Sequence, residues 1–207
     1  MREQLIKGAQ QLGLELTEVQ QDALLHYQEL MLKWNRVYNL TAITDPQQMV
    51  THHLLDSLAV LPYLQGERII DVGTGGGLPG IVLAIMCPER QFVLLDSNSK
   101  KTRFVTQAMI ELKLKNIKVQ HSRVEQYRPE QLFDTVVSRA FASIQDMLHW
   151  CAHLRDKDGI FLAMKGVSPE DELAQMPESF HVIKQYQLHV PGLDAERHVV
   201  LIDSQSR

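Results

Sequence analysis

Apolar positions in this chain follow two rhythms, and the change from one to the other divides it. Residues return every three or four positions from Gln4 to Leu12 and again after Thr17. In the second stretch Ala23, Leu24, Tyr27, Leu30, Met31, Trp34 and Tyr38 form one stripe, the mark of an amphipathic helix. Thr17 followed by Gln20 is the capping-box pair that starts such a helix. At helical spacing, Trp34 and Tyr38 read as core residues rather than as platforms for stacked bases. After a break at 39–44, Asp45-Pro46 supplies a cap and a first-turn proline. Met49, Val50, His53, Leu54, Ser57, Leu58 and Leu61 then predict a further helix to about Leu61.

Beyond residue 66 the pattern becomes short continuous apolar runs at 69–72, 92–95, 117–120, 133–138 and 159–164. Runs of this kind are expected of parallel strands buried on both faces. Helical stretches lie between them, at 81–86, at 97–114 and around His149. Two last β segments, Phe180 to Val190 and Arg197 to Asp203, are separated by Pro191-Gly192 and predict an antiparallel hairpin. The expected fold is α/β. A helical extension over 1–65 precedes a Rossmann-like, seven-stranded mixed sheet with a terminal hairpin over 66–207.

With 207 residues and 44% hydrophobic content the chain can bury one sizeable core plus an extension. Cys87 and Cys151 are the only cysteines, set in apolar helical contexts, which suits a reducing, cytoplasmic compartment. The start lacks an apolar signal core, and no apolar run approaches the ~18 residues of a membrane span, so neither export nor a membrane is expected. The formal charge of −4 hides an asymmetry. Lys100 to Arg128 holds eight basic residues against Glu111 and Glu125, a local +6 on a body of −10. A polyanion held at one face is the implied partner. His149 and His153 stand at the i, i+4 spacing of a zinc pair, but no third ligand accompanies them, so no metal is expected.

The chemistry concentrates at Arg68 to Gly80, R-I-I-D-V-G-T-G-G-G-L-P-G, where a strand ends on Asp71 and breaks into glycines. Gly73, Gly75, Gly76 and Gly77 let a ligand lie against bare backbone. Asp96 closes the next strand, at the ~20-residue spacing of an acid that receives ribose hydroxyls. Gly75, Gly77 and Gly80 also satisfy the dinucleotide pattern G-x-G-x-x-G. A pyrophosphate, however, disfavours a neighbouring carboxylate, whereas the ammonium and sulfonium of S-adenosylmethionine (SAM) favour one, and Asp71 tips the choice to SAM. D-V-G-T-G-G-G resembles the first motif of class I SAM-dependent methyltransferases. The D/N-P-P-Y/F sequence of amino-group methyltransferases is absent, and no cysteine stands where a cytosine C5 enzyme needs its nucleophile.

Taken together, W-N-R-V-Y-N-L-T at 34–41, H-L-L-D-S-L at 53–58, D-V-G-T-G-G-G-L-P-G at 71–80, L-L-D-S-N-S-K-K at 94–101, S-R-V-E at 122–125 and V-S-R-A at 137–140 resemble the bacterial RsmG/GidB family over nearly the whole chain. That family methylates a guanine of 16S ribosomal RNA at N7. The resemblance implies cofactor contacts at Gly73, Leu78, Val124, Glu125 and Arg139, beside Asp71, Gly75, Gly77 and Asp96 from the loop chemistry. Guanine N7 has a lone pair and no proton, so no general base is expected, and in-line placement at about 3–3.5 Å from the methyl carbon would do the catalytic work. Arg139 is the candidate for holding the methionine carboxylate or an RNA phosphate, with Asn39, His53 and Asp56 as further candidates at the guanine site. Capping and hydrogen bonding between elements compete with that role for His53 and Asp56. RNA contacts are expected at Lys100, Lys101, Arg103, Arg123, Lys165 and Arg197, on 16S rRNA or the small ribosomal subunit, from a monomeric protein. Methylation of another RNA nucleotide or a small molecule, a SAM-sensing assembly factor without transfer, and an NAD-dependent oxidoreductase remain open alternatives.

Overall fold

A computed structural model describes residues 1–204. Its elements in chain order are α1 (Arg2–Gln11), α2 (Glu18–Tyr38), α3 (Pro46–Met49), a π-helical turn (Val50–Leu55), α4 (Asp56–Leu58), β1 (Arg68–Val72), α5 (Gly80–Met86), β2 (Gln91–Asp96), α6 (Ser99–Glu111), β3 (Ile117–His121), β4 (Phe133–Ser138), α7 (Ile144–Cys151), β5 (Arg155–Lys165), α8 (Glu170–Ala174), β6 (Phe180–Leu188) and β7 (Arg197–Ser204). The seven strands form one sheet in the order β3-β2-β1-β4-β5-β7-β6. The first five run parallel, and β7 is antiparallel to both neighbours, as the expected terminal hairpin requires.

Strand alternation sends the two sets of side chains to opposite layers. Ile69, Phe92, Leu94, Val137, Leu162, Val199 and Leu201 face one apolar cluster that also holds residues of α1, α2, the π turn, α5 and α6. Ile70, Val93, Leu95, Val136, Phe161 and Val200 face a second cluster closed by Met147, Leu148 and Cys151 of α7. The helices before residue 65 therefore share a core with one face of the sheet. Thr17 and Gln20 form both bonds of the capping box at the start of α2, worth about 1 kcal/mol. The buried stripe Leu24, Tyr27, Leu30 and Met31 holds the helix down. Among the described residues no helix is long and apolar enough to cross a membrane.

One element departs from the expected pattern. The helix foreseen from Pro46 to Leu61 is a single α-helical turn, six π-helical residues and a second short α turn, followed by a 3₁₀ turn at Leu61–Tyr63. Apolar residues three or four apart do not reveal a locally wider turn, because the wider turn changes the angle between positions by only a fraction of one step. Here it brings Thr51, His53, Leu54, Leu55, Asp56, Ser57 and Leu58 all out of solvent. His149 and His153 do not share a helix face either. α7 ends at Cys151, and the His153 ring lies 3.1 Å from the carbonyl oxygens of Val124 and Tyr127.

Candidate cofactor cleft and substrate mouth

The parallel strands end on one side of the sheet, and the loop after β1 rises between β2 and β4, where the order of connection reverses. Backbone N–H groups of Gly73 and Thr74 both donate to the Leu95 carbonyl at the end of β2, at 2.9 and 3.0 Å. Gly73 has φ +73°, and a Cβ there would lie 2.5 Å from the Cβ of Ala140, so no larger residue fits. Asp96 accepts the Gly75 N–H on one oxygen and the Asn98 N–H on the other, each at 2.8 Å. A carboxylate has about four lone-pair positions, so two remain for a ligand. Around these groups opens a cleft of about 520 Å³, lined by Gly73, Gly75, Asp96, Ser97, Lys101, Arg123, Val124, Glu125, Ala140 and Phe141 among others.

The structure thus gathers Gly73, Gly75, Asp96, Val124 and Glu125 on one cleft. Asp71, Gly77 and Leu78 stand elsewhere, within the framework of the loop. The Asp71 carboxylate is 1% exposed and accepts the Thr74 hydroxyl at 2.8 Å and the Gly80 N–H at 2.9 Å. Burial pushes its pKa up to about 7 against those two bonds and the charge of Arg139. Asp71 therefore ties the loop to the first turn of α5. A Cβ on Gly77 would meet Ile81 and the Tyr27 hydroxyl, and Leu78 is buried.

On the other side of the loop lies a second polar cluster, built between the N-terminal helices and the ends of β4 and β7. Tyr27 is fully buried in α2 and donates its hydroxyl to the Gly76 carbonyl at 2.6 Å. Ser138 ties the end of β4 to β1 by donating to the Val72 carbonyl at 2.7 Å, and it accepts the Ala140 N–H at 3.0 Å. This fixes the chain on either side of Arg139. The Arg139 guanidinium lies 3.6 Å from the buried carboxylate of Asp56, whose other oxygen accepts from Arg197 Nε at 2.9 Å. Burial raises the Asp56 pKa and the two arginines oppose it. His53 lies one turn before Asp56, its Nε2 at 2.8 Å from Thr41 Oγ1 and its Nδ1 without a partner among the described residues. Burial first and Arg139 second lower its pKa to about 4, so the ring is neutral at physiological pH and a weak base.

Asn39 is exposed at the end of α2 with φ +54°, where it reverses the chain. The residue that holds this turn is Asn35, inside the W-N-R-V-Y-N-L-T motif. Its Oδ1 accepts the N–H groups of Leu40 and Thr41, and its Nδ2 donates to the Thr41 carbonyl. Asn35 and Ser138 lie inside the motifs at 34–41 and 137–140, and Tyr27 inside the stripe of α2, yet spacing gives none of the three a bonding partner. Tyr27 belongs to an apolar stripe, and single Ser or Asn residues at element ends carry no distinguishing spacing.

The expected RNA contacts separate into two groups. Lys165 is 13% exposed in its side chain, pairs with Glu172 at 2.9 Å and donates to the carbonyls of Phe141 and Ala142. Arg197 is engaged with Asp56. Lys165 braces the loop beyond β4, and Arg197 braces the polar cluster around Asp56. Lys100, Lys101 and Arg103 line the first turns of α6 without an ion pair among the described residues, and the largely exposed Arg123 has only a 3.8 Å approach to Glu125. No cluster of three metal-ligating side chains occurs among the described residues.

The family described as GidB, rRNA small subunit methyltransferase G, matches residues 20–200. A protein named ribosomal RNA small subunit methyltransferase G from Ectopseudomonas mendocina is 54% identical over 202 residues, covering 97% of this chain and 94% of its own length. One of the same name from Pseudomonas aeruginosa is 51% identical over 201 residues, with 97% and 94% covered. Among solved structures, coclaurine N-methyltransferase bound to N-methylheliamine and SAH superposes with a TM-score of 0.60 at 10% identity, covering 98% of this chain and 93% of that one. TrmN from Thermus thermophilus gives 0.56 at 15% identity over 72% and 47%. The likeness to solved structures speaks for the fold, which is that of class I methyltransferases, as the strand order and terminal hairpin foretold.

Proposed function

The chain belongs to the rRNA small subunit methyltransferase G family and is a methyltransferase, and from that premise we propose that it transfers a methyl group from SAM to N7 of one guanine in 16S rRNA. The observation that carries the cofactor is the cleft itself. Bare backbone at Gly73 and Gly75, an acid with lone pairs to spare at Asp96, and Val124 with Glu125 across the opening match a nucleoside with a charged tail. When bound, SAM supplies an electrophilic methyl on sulfur. Asp96 would accept the ribose hydroxyls, the Val124 backbone and Glu125 would meet the adenine, and the Gly73–Gly75 backbone would pass the methionine portion toward Arg139.

Asp71 supports the glycine loop through its bonds to Thr74 and Gly80. Its place in binding is to fix Gly73 and Gly75 relative to α5. Arg139 stands at the mouth as the cation for a carboxylate or an RNA phosphate, held by Asp56 and paired in function with Arg197. Among the described residues the cluster around Arg139 offers no strong base. His53 is a weak base and Asp56 is committed to two arginines, which suits attack by a nitrogen that has no proton to lose. The enzyme is read as a cytoplasmic monomer that positions RNA by phosphate contacts from Lys100, Lys101, Arg103 and Arg123.

The test is methyl transfer from labelled SAM to unmethylated 16S rRNA and to small subunits from cells lacking this protein, followed by nucleoside mass spectrometry. Label in 7-methylguanosine is expected. Label in any other nucleoside overturns the N7 assignment, and SAM binding without label in either substrate overturns RNA methylation.

A further inference from the structure

Beside the cofactor cleft, between α2 and α6, lies a second cavity of about 330 Å³ that the methyl-transfer chemistry does not use. Its walls are Trp34 and Tyr38 from α2, and Thr102, Arg103, Thr106 and Gln107 from α6. The two rings stack at 5.7 Å with 13° between their planes, and both remain half-buried. Lys33 lies over the Trp34 ring at 5.7 Å. The Trp34 indole N–H is shielded from solvent and is not presented to the groove. The Gln107 amide donates to Glu111 at 2.9 Å, which orients its carbonyl end as an acceptor.

The border of the groove is cationic on balance: Lys33 over the Trp34 ring and Lys100, Lys101 and Arg103 on α6 are in no ion pair among the described residues, against the Glu111 carboxylate beside Gln107. Lys101 lines the cofactor cleft while Arg103, two residues on, lines this groove, so one helix borders both. A protein interface core is depleted of such charge, whereas single-stranded nucleic acid is held by aromatic platforms set within a basic track.

We infer that this groove receives an unpaired nucleotide of the substrate RNA other than the methylated guanine. Its base lies against Trp34 and Tyr38, its edge meets the Gln107 carbonyl, and its phosphate is held by Arg103. The inference rests on the RNA substrate proposed above. It gives that substrate a second point of contact, so that an unpaired base at a fixed distance helps to select which guanine enters the mouth. Trp34 and Tyr38 pack against the core cluster, as their spacing implied, and keep a half-buried surface toward the groove.

The test compares wild type with Tyr38→Ala and Arg103→Gln, using unmethylated 16S rRNA for kinetics and a labelled single-stranded 16S fragment for binding without turnover. Tyr38→Ala should raise KM for RNA about tenfold through the lost stacking surface, with KM for SAM unchanged. Arg103→Gln should reduce the slope of log affinity against log salt by about 0.7, the loss of one single-strand phosphate contact. Lys184→Gln, on the distant edge strand, should leave that slope as it is. Because Tyr38 packs partly on the core, the exposed Arg103 variant keeps the test decisive if Tyr38→Ala fails to fold. Wild type that makes 7-methylguanosine, while both folded variants keep their KM and salt slope, overturns the groove alone. Variants that lose RNA affinity, from a wild type that binds RNA but makes no 7-methylguanosine, uphold the groove and overturn the N7 reading. A wild type that does not bind the fragment overturns both.

Discussion

Replacing Tyr27 with Phe tests whether the N-terminal helices hold the cofactor loop in shape. The change removes one oxygen and leaves the ring, which packs 6.4 Å from Phe104, so almost no cavity opens. What is lost is the 2.6 Å bond to the Gly76 carbonyl. Gly76 is itself buried, and a Cβ there would be 3.4 Å from Met31 and 3.6 Å from Leu40, leaving little room for water to replace the hydroxyl. An unsatisfied buried carbonyl costs about 1–3 kcal/mol. Taking ~2 kcal/mol, a chain of this size should lose about 4–8 °C in Tm and shift its urea midpoint without a change in m. The same bond fixes the loop on whose opposite side Gly75 meets Asp96. If most of that energy maintains the binding conformation, SAM affinity by calorimetry should fall about tenfold. A variant destabilised as expected but binding SAM like wild type would refute the clamp, and one with unchanged stability would show that the bond contributes nothing.

Two buried groups give opposite pH slopes. The Asp71 pKa is raised, so the native state keeps a proton that the unfolded chain has released, and stability falls as pH rises from about 4 to about 7. The His53 pKa is lowered from 6.5 to about 4, so the unfolded chain takes up a proton first, and stability falls as pH drops through that window. The two partly cancel in wild type. Asp71→Asn should expose the loss on acidification and His53→Gln the loss on raising pH, both read from urea unfolding across the window. Asp56→Asn frees Arg139 and Arg197; both are partly exposed and can rehydrate, so the stability cost should be about 1–2 kcal/mol rather than the larger penalty of a wholly buried pair. Turnover should drop more than SAM affinity in that variant, by steady-state kinetics. Gly80→Ala would place a Cβ 2.2 Å from Leu94 and 2.9 Å from Asp71 Oδ2, and overpacking should cost about 1–3 kcal/mol in urea unfolding while weakening SAM binding.

Much of the architecture was legible because it rests on local order. Continuous apolar runs, a glycine loop between Val72 and Gly80, and an acid at Asp96 are properties of neighbouring residues, and the parallel sheet, the hairpin and the cleft followed from them. The capping box at Thr17 was equally plain, since both partners lie within one turn. The π turn at Val50–Leu55 was not, because hydrophobic spacing averages over a single widened turn.

The site divides along the same line. Sequence alone determined that a strand-end acid and bare backbone would meet at Gly73, Gly75 and Asp96, since β1 and β2 pair in register and carry them to one end. Only the tertiary structure decided what the remaining polar residues do. Asp71 ties its loop to α5 because its carboxylate found Thr74 and Gly80. Lys165 and Arg197 became braces through Glu172 and Asp56, the latter 141 positions away from Arg197 in the chain. Tyr27 reached the glycine loop across 49 residues. A residue's type fixes which bonds it can make. Which partner it meets depends on long-range packing, and spacing along the chain does not encode that.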